Sequence, residues 1–290
     1  MGEQFIWNPS AERMGQMMRQ AVYMEDGVTL EHLVKQKADI EARDETGATL
    51  LHIAATQCKP AITSWLIQHR ADISAVDKEG FCALTWACVK GHHAVVTILL
   101  DGRADIEGPA SVGGGKSQTI NLAATGASAG APEKGKFEVM VEKTPLSLSA
   151  ERGHFDVVVE LLSRRATLEA TNRDGSNALM CAAHHGETEV VAHLLWKCTK
   201  VNHEDKEGWT ALMYAVNAQV PSSSSGGEQG EKRVNIDGCL GKKSTTELLI
   251  LHAANVNAQT ADGLTPLIIA SSRDRPAAVK QLLETRAQVN

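Results

Sequence analysis

Aliphatic residues mark a long, fixed interval along this chain, and between the marks the hydrophobic pattern turns helical twice. Leu33, Leu66, Leu99, Leu161, Leu194, Leu249 and Leu282 are separated by 33, 33, 62, 33, 55 and 33 residues. Ile40, Ile73, Ile106, Leu168, Val201, Val256 and Val289 repeat the same gaps. The gap of 62 is one period plus 29 residues, and that of 55 is one period plus 22. A period of this size marks a solenoid, in which a unit too small to bury its own apolar face stacks on its neighbours. Inside one period Leu84, Ala87 and Cys88 lie at helical spacing. Val95, Val96, Leu99 and Leu100 form a second stripe after the Gly91-His92 break. This predicts two short helices back to back. Small residues at Ala54, Ala87, Ala150, Ala182, Ala215 and Ala270 let paired helices approach closely.

The residues around these stripes identify the unit. Gly80 to Gly91-His92 runs into Val95-Val96, Leu99-Leu100 and Arg103-Ala104-Asp105-Ile106. The frame returns at Gly47 to Ala55, at Thr144-Pro145-Leu146 with Gly153-His154, and at Gly175 to Ala183. It returns again at Gly208-Trp209-Thr210 and at Gly263 to Leu267. The pattern resembles the ankyrin repeat over residues 14 to 290. The resemblance implies an all-α ankyrin-repeat helical solenoid of helix-turn-helix units joined by β-turn fingers, with two inserted loops. Residues 1–13 form an N-terminal tail and 14–290 the repeat domain, with a capping unit at 14–43 and units starting near 44, 77, 141, 172, 205 and 260. The last unit ends as its second helix closes, so either the natural chain continues or this unit frays.

The insertions, 108–140 and 219–243, set this chain apart. The first is rich in Gly, Ala and Ser, a composition of mobile loops, yet Phe137, Val139 and Val141 alternate with polar neighbours opposite Thr119 to Leu122, as in a lengthened hairpin. Both readings stand. The second contains Pro221-Ser-Ser-Ser-Ser-Gly-Gly and is expected to be disordered, because few apolar residues offset the entropy of ordering it.

Composition narrows the function. A net charge of −6 over 290 residues, with no basic arm, argues against nucleic-acid binding. The N-terminus carries neither a signal peptide nor a myristoylation pattern, and no apolar run is long enough to span a membrane. Cys58, Cys82, Cys88, Cys181, Cys198 and Cys239 contain no CxxC pair and suit reduced, mostly semi-buried thiols of an intracellular protein, cytoplasmic or nuclear. Gly113-Gly-Gly-Lys116-Ser117 lacks the glycine a phosphate-binding loop needs at Ala110. Cys181, His184 and His185 stand at helical spacing, but Cys181 holds a core column, so no metal and no cofactor is expected. No nucleophile, base and orienter converge. The resemblance gives His52 a structural hydrogen bond to the turn.

The resemblance also implies recognition of protein partners on a concave strip of finger tips and first-helix faces. The residues mapped there are Lys78, Phe81, Lys90, Arg152, Arg173, His184, His185, Lys206, Trp209 and Leu264. Phe81 and Trp209 are the aromatic candidates; the competing reading packs each ring across its own turn. The expected role is a monomeric, non-catalytic scaffold or adaptor. The alternative is a regulatory or targeting segment of a larger enzyme or channel continuing beyond Asn290. One departure from the family is that the residue closing the second helix, usually Gly, is Lys37, Arg70, Arg103, Arg165, Cys198, Ala253 or Arg286. These would have to bear a left-handed backbone, partly offset by the cation at the helix end.

Overall fold

A computed structural model describes residues 11–109, 143–218 and 243–285. Residues 110–140 of the first insertion, with Lys116, and 219–242 of the second, with Cys239, lie outside them, as do Arg286 and Val289. The described residues divide into two compact units, one comprising 1–145 with 159–166 and the other 146–158 with 167–290. Each unit is a stretch of helical solenoid; besides the isolated bridges Val76 to Cys82 and Thr171 to Asn177, the described residues are helices, turns and irregular links.

In the first unit α1 (Ala11–Met24) and α2 (Gly27–Lys35) precede α3 (Leu50–Thr56), α4 (Pro60–Gln68), α5 (Ala83–Lys90) and α6 (His93–Asp101). Helix α1 packs on α2 and α3, α3 on α5, and α4 on α6. It begins at Ala11, inside the expected tail. The chain resumes with α7 (Pro145–Glu151), α8 (Phe155–Ser163), α9 (Ala178–His185), α10 (Thr188–Trp196), α11 (Ala211–Asn217), α12 (Thr245–Leu251), α13 (Pro266–Ser272) and α14 (Pro276–Glu284). In the second unit α9 packs on α11, α11 on α13, and α10 on α12. The second insertion leaves between α11 and α12. No helix among the described residues is long and apolar enough to cross a membrane.

The seven period-marking leucines are all at most 1% exposed. Each ladder leucine from Leu33 to Leu249 also uses its carbonyl. Leu33, Leu66, Leu99, Leu161, Leu194 and Leu249 accept from the N–H of Ala38, Ala71, Ala104, Ala166, Thr199 and Ala254 at 2.9 to 3.4 Å. This is the long bond of a Schellman cap, which reverses the chain through a left-handed residue just before the donor. That residue is Lys37, Arg70, Arg103, Arg165, Cys198 or Ala253, with φ between 61° and 70°. The half-buried second column follows in each loop. Beside it, Glu41, Glu169 and Asn202 accept from the N–H of Asp72, Lys200 and Asn255 of the next repeat at 2.7 to 2.8 Å.

First helices start from side-chain caps: Asn177, Thr210 and Thr265 accept from the N–H of Met180, Met213 and Ile268. The six alanines of the small column are at most 8% exposed. The cysteines divide: Cys82, Cys88 and Cys181 are buried, but Cys58 and Cys198 are exposed. They occupy left-handed turn positions after α3 and α10 and belong to neither helical stripe.

Candidate functional site

A finger is built by one acidic side chain folding the backbone around itself. Asp44 Oδ1 accepts from the N–H of Thr46 and Ala48, Asp77 Oδ1 from Glu79 and Phe81, and Asp205 Oδ1 from Glu207 and Trp209, at 2.8 to 2.9 Å. Short acidic side chains favour such turns because they satisfy the N–H groups two and four residues on. Gly208 shows why the fourth position is glycine: its φ is +79°, and a Cβ there would lie 3.2 Å from the Ala261 nitrogen. That close approach lets successive fingers bond through the main chain. The N–H of Lys78 donates to Thr46 O, that of Lys206 to Asp174 O, and that of Ala261 to Glu207 O, at 3.0 to 3.1 Å.

In the first unit, Lys78 and Lys90 are exposed, and Lys78 Nζ donates to Glu45 O at 2.7 Å. Phe81 is not on the surface. Only 2% of it is exposed, and its ring meets Trp86 edge-to-face at 5.2 Å. Trp86 is held over it by an indole N–H bond to Asp77 Oδ2 at 2.7 Å. The aromatic expectation for Phe81 is corrected accordingly: its ring packs inward, and the half-exposed ring at this level is Trp86. Beside it, burial and the neighbouring Asp77 push the Glu79 carboxyl up to about 7.

In the second unit, Trp209 is half-buried and remains at the surface. Its ring lies 5.1 Å from Tyr214, whose ring lies 5.4 Å from His184, and His184 lies 4.9 Å from His185. Tyr214 Oη donates to Asp205 Oδ2 at 2.6 Å, so the carboxylate that shapes the finger also fixes the helix-one ring. The Tyr214 hydroxyl is held well above its ordinary range, by burial first and then by its bond to Asp205 and the charges of Asp205 and Asp174. His185 directs Nε2 to Glu151 Oε1 at 3.7 Å and Nδ1 to Cys181 O at 3.1 Å. The structure thus brings together Trp209, His184 and His185. Arg152, Arg173 and Lys206 are exposed near the turns, and Leu264 is 36% exposed on the last described finger.

Tyr214 and Trp86 were not among the sequence candidates. A signal for them existed: both stand nine residues after a finger aspartate, Asp205 and Asp77. Among the described residues, no three His, Cys, Asp or Glu side chains converge to hold a metal.

A model of three ankyrin repeats in tandem matches residues 18–109, 116–204 and 146–222, and a single ankyrin repeat model matches 262–290. The human ASB11 ankyrin repeat domain superimposes with a TM-score of 0.67 at 18% identity, over 94% of this chain and 98% of that one. The ankyrin repeat domain of Bcl-3, a member of the IkappaB protein family, gives 0.61 at 20% identity, over 92% and 97%. No curated protein matches.

Proposed function

This chain belongs to the ankyrin repeat family, whose repeats are protein-interaction modules, and we propose that it is a non-catalytic scaffold or adaptor that grips a protein partner on its finger and helix-one surface. The observation that carries this reading is the run of rings Trp209, Tyr214, His184 and His185 on the finger and first helices of the second unit. A ring needed only for packing is sealed, as Phe81 is. Trp209 keeps part of its surface open, and large aromatics contribute most to binding when a partner completes their desolvation. The exposed Arg152, Arg173, Lys206 and Leu264 of the same unit supply further contacts, as do Lys78 and Lys90 in the first unit. The chain acts in the cytoplasm or nucleus, as a monomer. Phe81 is left out because a partner cannot reach it.

The test begins with affinity capture from the source cell and mass spectrometry, followed by titration of the purified partner. Trp209→Ala should weaken binding by about 2 kcal/mol while the melting temperature stays close to that of the parent. An unchanged affinity discards this surface.

A further inference from the structure

The ring cluster of the second unit stands among carboxylates, and that combination favours one kind of ligand. Tyr214 lies between His184, nearly perpendicular to it at 86°, and Trp209, tilted by 40°. The three rings therefore turn faces in different directions and do not form a flat stack. Aromatic faces are electrostatically negative and attract cations more strongly than neutral groups of the same size. Behind them, Asp205 binds Tyr214 Oη at 2.6 Å, and Asp174 of the preceding finger acts on the same hydroxyl through its charge.

Two basic side chains of the neighbourhood, Lys206 and His185, are directed elsewhere. Lys206 passes its stem over the preceding turn, where a Cβ on Gly175 would lie 3.3 Å from its Cγ. His185 is turned toward Glu151 and the Cys181 carbonyl. A neutral apolar group would gain only burial here, whereas a cation gains burial, the ring faces and the carboxylates together.

We propose that the Trp209, Tyr214 and His184 cluster receives the cationic side chain, lysine or arginine, of a partner polypeptide. The proposal rests on the interaction reading above and adds the chemistry of what is bound.

The probe is tetramethylammonium chloride, titrated into the full chain at mildly alkaline pH while the Trp209 indole N–H and the Tyr214 and His184 ring signals are followed by NMR. Tert-butanol serves as its neutral counterpart. Saturable shifts confined to these rings are expected for the ammonium ion, with binding at least about fivefold weaker for the alcohol. A short peptide with one central lysine should compete, and its norleucine version should not. Trp209→Ala should remove the response at Tyr214 and His184. Tyr214→Phe keeps the ring but frees Asp205, and should keep the preference for cation over alcohol. Equal responses to ammonium and alcohol, or no saturable shift at these rings, overturns the proposal. If Trp209→Ala weakens a captured partner while the ammonium ion has no effect, the cation assignment falls and the interaction surface stands.

Discussion

His52 reaches out of its own repeat to Phe81: its Nε2 lies 2.9 Å from the Phe81 carbonyl oxygen. Its Nδ1 faces the N–H of Thr49 at 3.2 Å and the Thr49 hydroxyl at 2.9 Å. The ring is 98% removed from solvent, at 2% exposure. A nitrogen that accepts an N–H carries no proton, and one that faces a carbonyl must donate, so the site holds neutral imidazole in one tautomer. One side chain thus caps the start of α3 and ties down the next finger.

This dictates a pH dependence. Burial holds the His52 pKa below the ordinary value, so between the folded value and about 6.5 the unfolded chain binds a proton that the folded chain refuses. Stability from this group is present above about 6.5 and is lost as the pH falls. His193, also lowered by burial, adds to the same slope. Thermal melts across this window should show a falling melting temperature toward acid, with a shallower fall in His52→Gln. An identical slope in the variant would refute the assignment.

Glu79 works in the opposite sense. Its Oε2 is buried without a hydrogen-bond partner, and its carboxyl titrates near 7 instead of 4.5. The folded chain holds the extra proton, so stability from this group is present below about 4.5 and is lost as the pH rises through about 7. The residue as a whole is only half-buried, so solvent screening discounts the full linkage, and Glu79→Gln should stabilise by about 1 kcal/mol under mildly alkaline conditions. Urea titrations should find that gain absent in acid. A variant equally stabilised at both ends would show a packing effect in place of a charge effect.

Ala253 carries a φ of 61°, where a Cβ is unfavourable and where no charge at the helix end compensates. Ala253→Gly should therefore raise stability by about 0.5 to 1 kcal/mol, the relief of the left-handed backbone less the added entropy of the unfolded chain. Arg165→Gly should gain less, since it also gives up a cation at a helix C-terminus. Denaturant midpoints order the two, and the reverse order would contradict this account of the turns.

The last described repeat should open first. Ile268 is 41% and Leu283 45% exposed, whereas the residues equivalent to Ile268 in earlier repeats, His52, Thr85, Ser147, Met180 and Met213, are at most 2% exposed. Apolar side chains left open on a repeat contribute less to its local stability than buried ones do. Hydrogen exchange should find Val279 to Leu283 less protected than Val95 to Leu100. Equal protection would show that a second copy covers the exposed face.

The architecture was readable from residue types because it depends on spacing: the leucines that set the period are those that fill the core, and the six described closing residues that replace glycine adopt the left-handed backbone the repeat requires. The binding surface was harder. Phe81 and Trp209 occupy the same finger position, yet one is sealed and the other is not. The difference lies elsewhere in the chain. His52, in the repeat before Phe81, bonds the Phe81 carbonyl, and Trp86 closes over the ring. The position equivalent to His52 in the repeat before Trp209 is Met180, which has no ring nitrogen to offer. The role of Tyr214 depends on a bond to Asp205 that no helical stripe reveals.

The caps on the ladder leucines have a bearing on inheritance. The bond from Ala104 N–H to Leu99 O, and its counterparts along the chain, runs from main chain to main chain. Mutation cannot delete such a bond without adding a proline, so the reversal at the end of each repeat outlives the side chains around it. At this reversal the side-chain requirement reduces to a buried aliphatic residue and, in most repeats, a small one five positions later. A chain held this way can keep its course while sharing only 18 to 20% of its residues with the solved domains it overlays. It can also lengthen between caps, where its two insertions lie, and so diversify in what it meets while its repeats stay in step.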